Sequence, residues 1–129
     1  MFGDGATLAI MQKAMDGVWQ RQRAVSNNIA NYETPGYKAI KVDFESTLKK
    51  QIKRMNPDMS RGEIAEKIAS SPVNVYTYDA FTNRLDGNNV DLDLENVEMA
   101  KMQIQYQYLA RSMSDMFSRM RYAISEGKK

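Results

Sequence analysis

Two heptad patterns, one near each end of the chain, constrain the fold more than any other feature of the sequence. Apolar residues recur in both at alternating spacings of three and four, with Gln22 in the one polar position of the first pattern. The second pattern is rich in methionine. Such spacing predicts a helix-pairing seam made of Leu8, Met11, Met15, Val18, Val25 and Ile29 with Met99, Met102, Tyr106, Leu109, Met113, Met116 and Met120.

The predicted terminal helices are long for a chain of this size. One would run from about Thr7, a suitable N-cap, to about Ala30, and the other from Asp93 to Ile124, roughly 35 Å and 45–50 Å in length. Helices of this length cannot bury their apolar faces inside a small globule, so they must pair with each other, with copies of the chain, or with both. An intramolecular hairpin is the simpler interpretation. The second helix also has a broken apolar stripe at Val97, Ala100, Ile104 and Phe117.

The middle of the chain has shorter signals. Phe44, Leu48, Ile52 and Met55 share one helical face. Ser60 and Glu63 have capping-box spacing, which predicts a short helix that Pro72 ends. Val73 and Val75 indicate a strand, and "LDGNN" predicts a turn, with a hairpin as one interpretation.

These patterns predict a mainly α fold in which long N- and C-terminal helices pair as an antiparallel coiled coil. A small irregular middle region, with short helices and a possible hairpin, lies between them. We expect three parts: an N-terminal axial helix and turn at 1–38, an outer middle region at 39–90, and a C-terminal axial helix at 91–129.

Composition argues against most kinds of chemistry. The chain has no histidine and no cysteine, so nucleophile–base pairs and thiolate or imidazole metal sites cannot be built. "DLDLE" begins like a calcium loop, but Asn96 and Met102 stand where such a loop needs Gly and a carboxylate. We therefore expect no enzyme activity, metal or cofactor. A net charge of +2 does not favour nucleic-acid binding, and the sequence has neither a signal peptide nor a membrane span.

Charge is unevenly distributed along the sequence. Residues 79–98 contain six acidic residues against Arg84 alone, whereas residues 49–54 contain Lys49, Lys50, Lys53 and Arg54. Runs of like charge are usually solvated surfaces, and this is the simpler interpretation. Charge matching between subunits is the other.

The stretch "SNNIANYETPGYKA" closes the first helix with an excess of amide side chains. Asn31 can end the helix in the left-handed conformation, and Pro35 and Gly36 fit the two central positions of a type II turn. Capping needs only one or two amides, so the excess suggests contact with a partner, although a solvated helix end is the alternative. The predicted contact and turn residues are Asn28, Asn31, Thr34, Pro35, Gly36 and Tyr37.

This stretch resembles the N-terminal signature of the flagellar axial proteins, the rod and hook family. "ETPGYKAIKVDFESTL" and "DGNNVDLDLENVEMAKMQIQYQYLARSMSDMFSRMRYAI" are similar to both ends of a proximal rod member. The resemblance covers about residues 7–48 and 86–124. It departs at Asn96 and Met102, where that helix more often has Met and Asn.

The resemblance implies a structural subunit of the proximal rod of the flagellar basal body, self-assembling through its terminal helices as part of the motor drive shaft. It implies type III export without a cleaved signal, and a periplasmic position. The implied partners are copies of the chain, the export apparatus, the adaptor FliE, the membrane ring FliF and the next rod protein FlgC. The competing hypothesis is a small cytoplasmic helical adaptor or an export chaperone.

Overall fold

The computed structural model describes residues 4–127, so the outermost residues of the predicted terminal segments, 1–3 and 128–129, lie outside the described residues. The described chain is mainly helical. Its elements in chain order are α1 (Asp4–Ala30), β1 (Ile40–Asp43), α2 (Glu45–Lys53), α3 (Arg61–Ala69), β2 (Asn74–Thr77) and α4 (Leu92–Glu126).

The two long helices, α1 and α4, pack antiparallel, as the heptad patterns predicted. Asn28 near the end of α1 bonds Glu95 in the first turns of α4. Val18, further back along α1, lines a groove with Tyr106, further forward along α4. A core cluster centres on Val18, Val25 and Met102 and also includes Ala24, Val42 and Phe44. Burial of these apolar side chains is the main favourable term that holds the helices together.

The predicted seam residues occupy three kinds of environment. Val18, Val25, Met102 and Met116 are buried. Partly buried are Leu8, Met11, Met15, Ile29, Met99, Leu109, Met113 and Met120. Tyr106 is 55% exposed, because it lies at the open margin of the α1–α4 groove. The pairing of α1 with α4 in one chain therefore covers the predicted seam only in part. The role of the seam in contacts between chains stays a prediction.

The short helices α2 and α3 lie beside the N-terminal half of α1. The Phe44 ring, just before α2, packs so closely on Gly17 that it leaves no space for a Cβ there. Lys13 of α1 donates a hydrogen bond to the carbonyl of Ala69 at the end of α3, at 3.2 Å. Ser60 and Glu63 form the predicted capping box with both reciprocal hydrogen bonds, so the start of α3 is fixed locally.

A two-stranded antiparallel sheet joins the ends of this middle region. Ile40 of β1 pairs with Thr77 of β2, and Asp43 pairs with Asn74. β2 follows the predicted strand, whereas β1 is a strand that the sequence did not indicate. The strand pair that the sequence allowed in the middle region is present, but "LDGNN" does not connect its strands. That segment is a turn after β2 with Gly87 at φ +76°, and α2 and α3 lie between the paired strands.

The helix ends differ in part from expectation. α1 begins at Asp4, so Thr7 is an interior helical residue and not the N-cap. It ends at Ala30 as predicted, but no described non-glycine residue has a positive φ, so Asn31 does not end it in the left-handed conformation. At α4, Asp91 is the N-cap and accepts hydrogen bonds from the backbone N–H groups of Asp93 and Leu94.

Candidate subunit-contact site

The turn after α1 has the geometry that its sequence predicted. Gly36 has φ +72°, and the N–H of Tyr37 donates to the carbonyl of Thr34 at 3.2 Å. These are the marks of a type II turn with Pro35 and Gly36 in its centre. The N–H of Gly36 also donates to the carbonyl of Asp86 at 2.7 Å, which ties the turn to the loop before α4.

Asn28 is the centre of a buried hydrogen-bond network and is only 1% exposed. Its amide nitrogen donates to the carbonyl of Ile40 at 2.8 Å and to Glu95 at 3.1 Å. Its amide oxygen accepts from the N–H of Ile40 at 2.8 Å and from the hydroxyl of Tyr37 at 2.9 Å. One side chain therefore joins α1, the turn, β1 and α4, and all four of its hydrogen-bonding positions are used.

Glu95 is a carboxyl group held in this network with 7% of its surface exposed. Burial raises its pKa, while the hydrogen bond from Asn28 and the charge of Lys41 act in the opposite direction. The pKa of Tyr37 is also raised, by burial and then by the charge of Glu95. The network is thus completed around an acidic group that the protein interior disfavours in its ionised form.

A second pair of amides, Asn88 and Asn89, approaches the turn from the loop before α4. Asn88 is fully buried and donates to the carbonyls of Asn31 and Thr34 at 2.8 and 2.9 Å. Asn89 accepts from the N–H of Ala39 at 2.7 Å. Sequence reasoning missed both residues as site members. The signal was in "DGNNVDLDLE", which carries the second set of amides.

Arg84 joins the loop before α4 to the segment that follows α1. Its guanidinium donates to the carbonyl of Tyr32 at 2.7 Å and stacks over the Tyr32 ring at 4.5 Å. It also forms an ion pair with Asp86. These contacts satisfy carbonyls just beyond the end of α1, which an Arg near a helix C-terminus does well.

Arg21 links α1 to the middle region at the other side of the network. It forms a bidentate pair with the Glu45 carboxylate, with both distances at 2.6 Å, and donates to the carbonyl of Val42 at 2.7 Å. Its guanidinium also lies over the Phe44 ring at 4.8 Å. The hydrogen bond that Arg21 donates to Glu45 raises the pKa of Arg21, against the effect of burial.

The structure separates the predicted contact residues into two groups. Thr34, Pro35 and Gly36 are exposed at the tip of the turn, and Tyr37 is partly buried. Asn28 is enclosed and fully bonded, so the expectation that it touches a neighbouring chain is corrected. Asn31 is partly buried, donates to the carbonyl of Asn27 and accepts from Thr34. The amide excess therefore builds the junction itself, and the turn tip is left as the surface.

α4 has a second apolar stripe beside the face that packs on α1. Ile104 and Tyr108 are 69% and 72% exposed, and Leu94, Val97 and Tyr122 are also exposed. These five positions fall on one helical face, whose centre is roughly 110° around the helix from the direction of Met102 and Met116. A helix that is apolar on two sides is covered on one side only within this chain.

Within the described range, 4–127, no group of three acidic residues is placed to hold a metal ion. No helix in the same range is long and apolar enough to cross a membrane.

Residues 12–38, which contain most of α1 and the turn, match the family described as flagella basal body rod proteins. The chain is 32% identical to the flagellar basal body rod protein FlgB of Bacillus subtilis (strain 168), over 95% of both chains. It is 32% identical to FlgB of Escherichia coli (strain K12), again over 95% of both. With FlgB of Salmonella typhimurium it is 36% identical over 79% of this chain and 80% of that protein.

The match at the helix–turn junction defines the class, a flagellar basal-body rod protein. The full-length relatives define the member: the chain belongs to the FlgB family of that class. The adaptor or chaperone hypothesis is not favoured.

Proposed function

We propose that the chain is a structural subunit of the proximal rod, assembling with copies of itself through α1 and α4 as part of the flagellar drive shaft. The observation that carries this proposal is the exposed stripe of α4. Large apolar side chains on one continuous face of a long helix indicate an interaction surface. A subunit that buries this face only when it polymerises would leave the face exposed as a monomer. The face is exposed in the single chain.

Two further surfaces support assembly between chains. A groove of about 700 Å³ between α1 and α4 is lined by Val18, Trp19, Met102 and Tyr106, among others, and Trp19 is itself 56% exposed. Exposed aromatic side chains beside an apolar groove are typical of the central part of protein interfaces. The exposed turn tip, Thr34, Pro35 and Gly36, is the other surface, and the network around Asn28 holds it rigidly.

The specific neighbours and the location belong to the same proposal. The resemblance of the chain to rod proteins supports FliE and FliF as the neighbours below the subunit and FlgC as the neighbour above it. It also supports passage through the export apparatus without a cleaved signal. It supports a periplasmic position in the basal body and a role without catalysis. The predicted seam, from Leu8 to Ile29 and from Met99 to Met120, is proposed to complete its burial when subunits pack together.

The experiment that tests this proposal separates folding from assembly. Ile104→Asp places a charge on the exposed stripe without touching the core, so the purified protein should keep its helicity and melting temperature. The variant should fail to restore swimming to a strain that lacks the gene, and electron microscopy should show membrane rings without a rod. A buried charge at a subunit interface costs several kcal/mol, which is enough to block assembly.

Ser114→Asp is the matched control, because it adds the same charge to α4 at an exposed position off the stripe. It should restore swimming. Normal rods with Ile104→Asp would show that the stripe is not an assembly surface. Intact rods and normal swimming in the strain that lacks the gene would contradict the rod function itself.

A further inference from the structure

The loop before α4 and the first turn of α4 expose both acidic and large apolar side chains. Asp79, Asp86, Asp91 and Asp93 are all exposed. Arg84, the cation of this segment, is occupied by Tyr32 and Asp86. We call residues 79–93 the acidic end of the subunit.

Two large apolar side chains project from the acidic end. Phe81 is 91% exposed, and Leu85 is fully exposed. Within residues 4–127 neither side chain is buried, although burial of so large an apolar surface is favourable. Exposed apolar anchors together with exposed charges are the two components of a small interface.

The complementary surface lies on α2. Lys49, Lys50, Lys53 and Arg54 are all exposed, and no ion pair within the described range 4–127 involves any of them. α2 has no buried residue. The apolar side chains of Leu48 and Ile52, and of Met55 just beyond the helix, are partly buried. This segment therefore offers basic side chains beside an incompletely buried apolar face.

The two surfaces lie at different places along the long axis of the subunit. The acidic end is bonded to Asn31 and Tyr32, beyond the end of α1. α2 and α3 are fixed near Arg21, Gly17 and Lys13. At 1.5 Å per residue, the nearest of these attachment points is about 15 Å along α1 from Asn31. The acidic end therefore cannot fold back on α2 of its own chain while these attachments hold.

We infer that the acidic end of one subunit docks on α2 of a second copy of this chain, head to tail. The inference rests on the proposed rod function and names a surface and a partner for it. Phe81 and Leu85 insert against the apolar face of α2, and the carboxylates face Lys49, Lys50, Lys53 and Arg54. Opposite charges steer the encounter and fix its orientation, while the apolar pair supplies most of the stabilisation.

Because the contact joins two different surfaces, it repeats without closing and produces an open array and not a dimer. The area is small, so each contact is weak and association depends on protein concentration and salt. Contacts of this strength suit a subunit that is exported as a monomer and polymerises only in the rod.

Charge reversal on the full-length protein tests the inference. Asp79→Lys with Asp93→Lys makes the acidic end net basic, and Lys49→Glu with Lys50→Glu and Lys53→Glu makes the basic surface of α2 net acidic. Self-association is measured by sedimentation velocity over a range of protein concentrations in low and high salt. Wild type should associate in low salt and dissociate as salt rises. Each reversed protein should lose association by about tenfold or more, because its own two surfaces then repel.

The equimolar mixture of the two reversed proteins is the decisive sample. Each then meets a surface of opposite charge only on the other, so association should return to within about threefold of wild type. The chain with all five substitutions should likewise associate with itself. Phe81→Ser, which exchanges a side chain outside the core, should weaken association at every salt concentration while the helicity by circular dichroism stays unchanged.

Failure of the mixture to associate, or association of wild type that is insensitive to salt, would overturn the head-to-tail contact. So would a single reversed protein that builds normal rods in the cell. These results would leave the rod function standing, because that function fails only if rods form without the gene. The two hypotheses are therefore tested by separate outcomes.

Discussion

The amide of Asn28 on α1 donates a 3.1 Å hydrogen bond to the carboxyl group of Glu95 on α4, across 67 positions of sequence. Both side chains are buried. Through the same amide, α1 also holds both backbone polar groups of Ile40 and the hydroxyl of Tyr37. The pair fixes the end of α1 against the start of α4 and so decides where the turn tip points.

Asn28→Leu should be strongly destabilising, although it keeps the size of the side chain. The substitution leaves the N–H and C=O of Ile40 and the Glu95 carboxyl group without their partner in a buried place. Unsatisfied buried groups cost about 1–3 kcal/mol each, so we expect a loss of about 3–5 kcal/mol in the free energy of unfolding. Urea denaturation followed by circular dichroism measures it.

Asn27→Leu is the matched control for Asn28→Leu, because the neighbouring Asn27 side chain is exposed. It should change the free energy of unfolding by no more than about 0.5 kcal/mol. Equal effects of the two substitutions would mean that the network does not stabilise the junction.

Glu95→Gln should change how stability depends on pH. Burial raises the pKa of Glu95 in the folded protein above the value of about 4.3 in the unfolded chain. Between these two values the folded state binds more protons, so the Glu95 contribution to stability falls as pH rises through that window and stays low above it. Gln keeps the acceptor for Asn28 without a charge, so the variant should lose this decline and be at least as stable as wild type at pH 7.

The measurement for Glu95→Gln is the difference in unfolding free energy between variant and wild type from pH 4 upward. The difference between the two proteins is needed because other carboxyl groups change the free energy of unfolding with pH in the opposite direction. Burial raises the pKa of Glu45, but the hydrogen bond and charge of Arg21 and the backbone hydrogen bonds together outweigh burial, so the net pKa is lowered. Glu66→Gln, on the exposed face of α3, is the control. A difference that increases in favour of wild type with rising pH would refute the assignment.

Gly17→Ala should destabilise the docking of α2 on α1. A Cβ at this position would overlap the Phe44 ring, and overpacking of a core contact costs about 1–3 kcal/mol, more than the helix propensity that alanine gains. Phe44→Leu removes the ring atoms that the Cβ meets. In a double-mutant cycle the pair should therefore be less destabilising than the sum of its members by about 1 kcal/mol or more. Strict additivity in thermal or urea unfolding would exclude this contact.

Gly36→Ala should destabilise the turn by about 1–2 kcal/mol through its backbone alone. No atom lies within 4 Å of the Cβ that alanine would add, but φ is +72°, where residues with a Cβ are strained. Gly62→Ala is the matched control, since its Cβ also meets nothing and its φ is not positive. That variant should be neutral or slightly more stable. A Gly36→Ala protein as stable as wild type would contradict the type II turn.

The sequence by itself determined the elements whose signals are local. Heptad spacing predicted the two long helices and the apolar face of each. The spacing of Ser60 and Glu63 predicted a capping box, and Pro35 with Gly36 predicted a type II turn. Each of these depends on residues within a few positions of one another, so propensity and spacing carry the information.

The tertiary structure decided which groups meet across the chain. The sequence around Asn28 does not indicate that its partners are Ile40 and Glu95. The sequence around Asn88 likewise does not indicate that its amide donates to the carbonyls beyond α1. β1 has only four residues and is a strand because β2 pairs with it. Periodicity shows that α4 has two apolar stripes, but only packing on α1 decides that Met102 is covered and Ile104 is not. The physical reason is that hydrogen bonding and burial depend on distance in space, which chain spacing specifies only within one helix or turn.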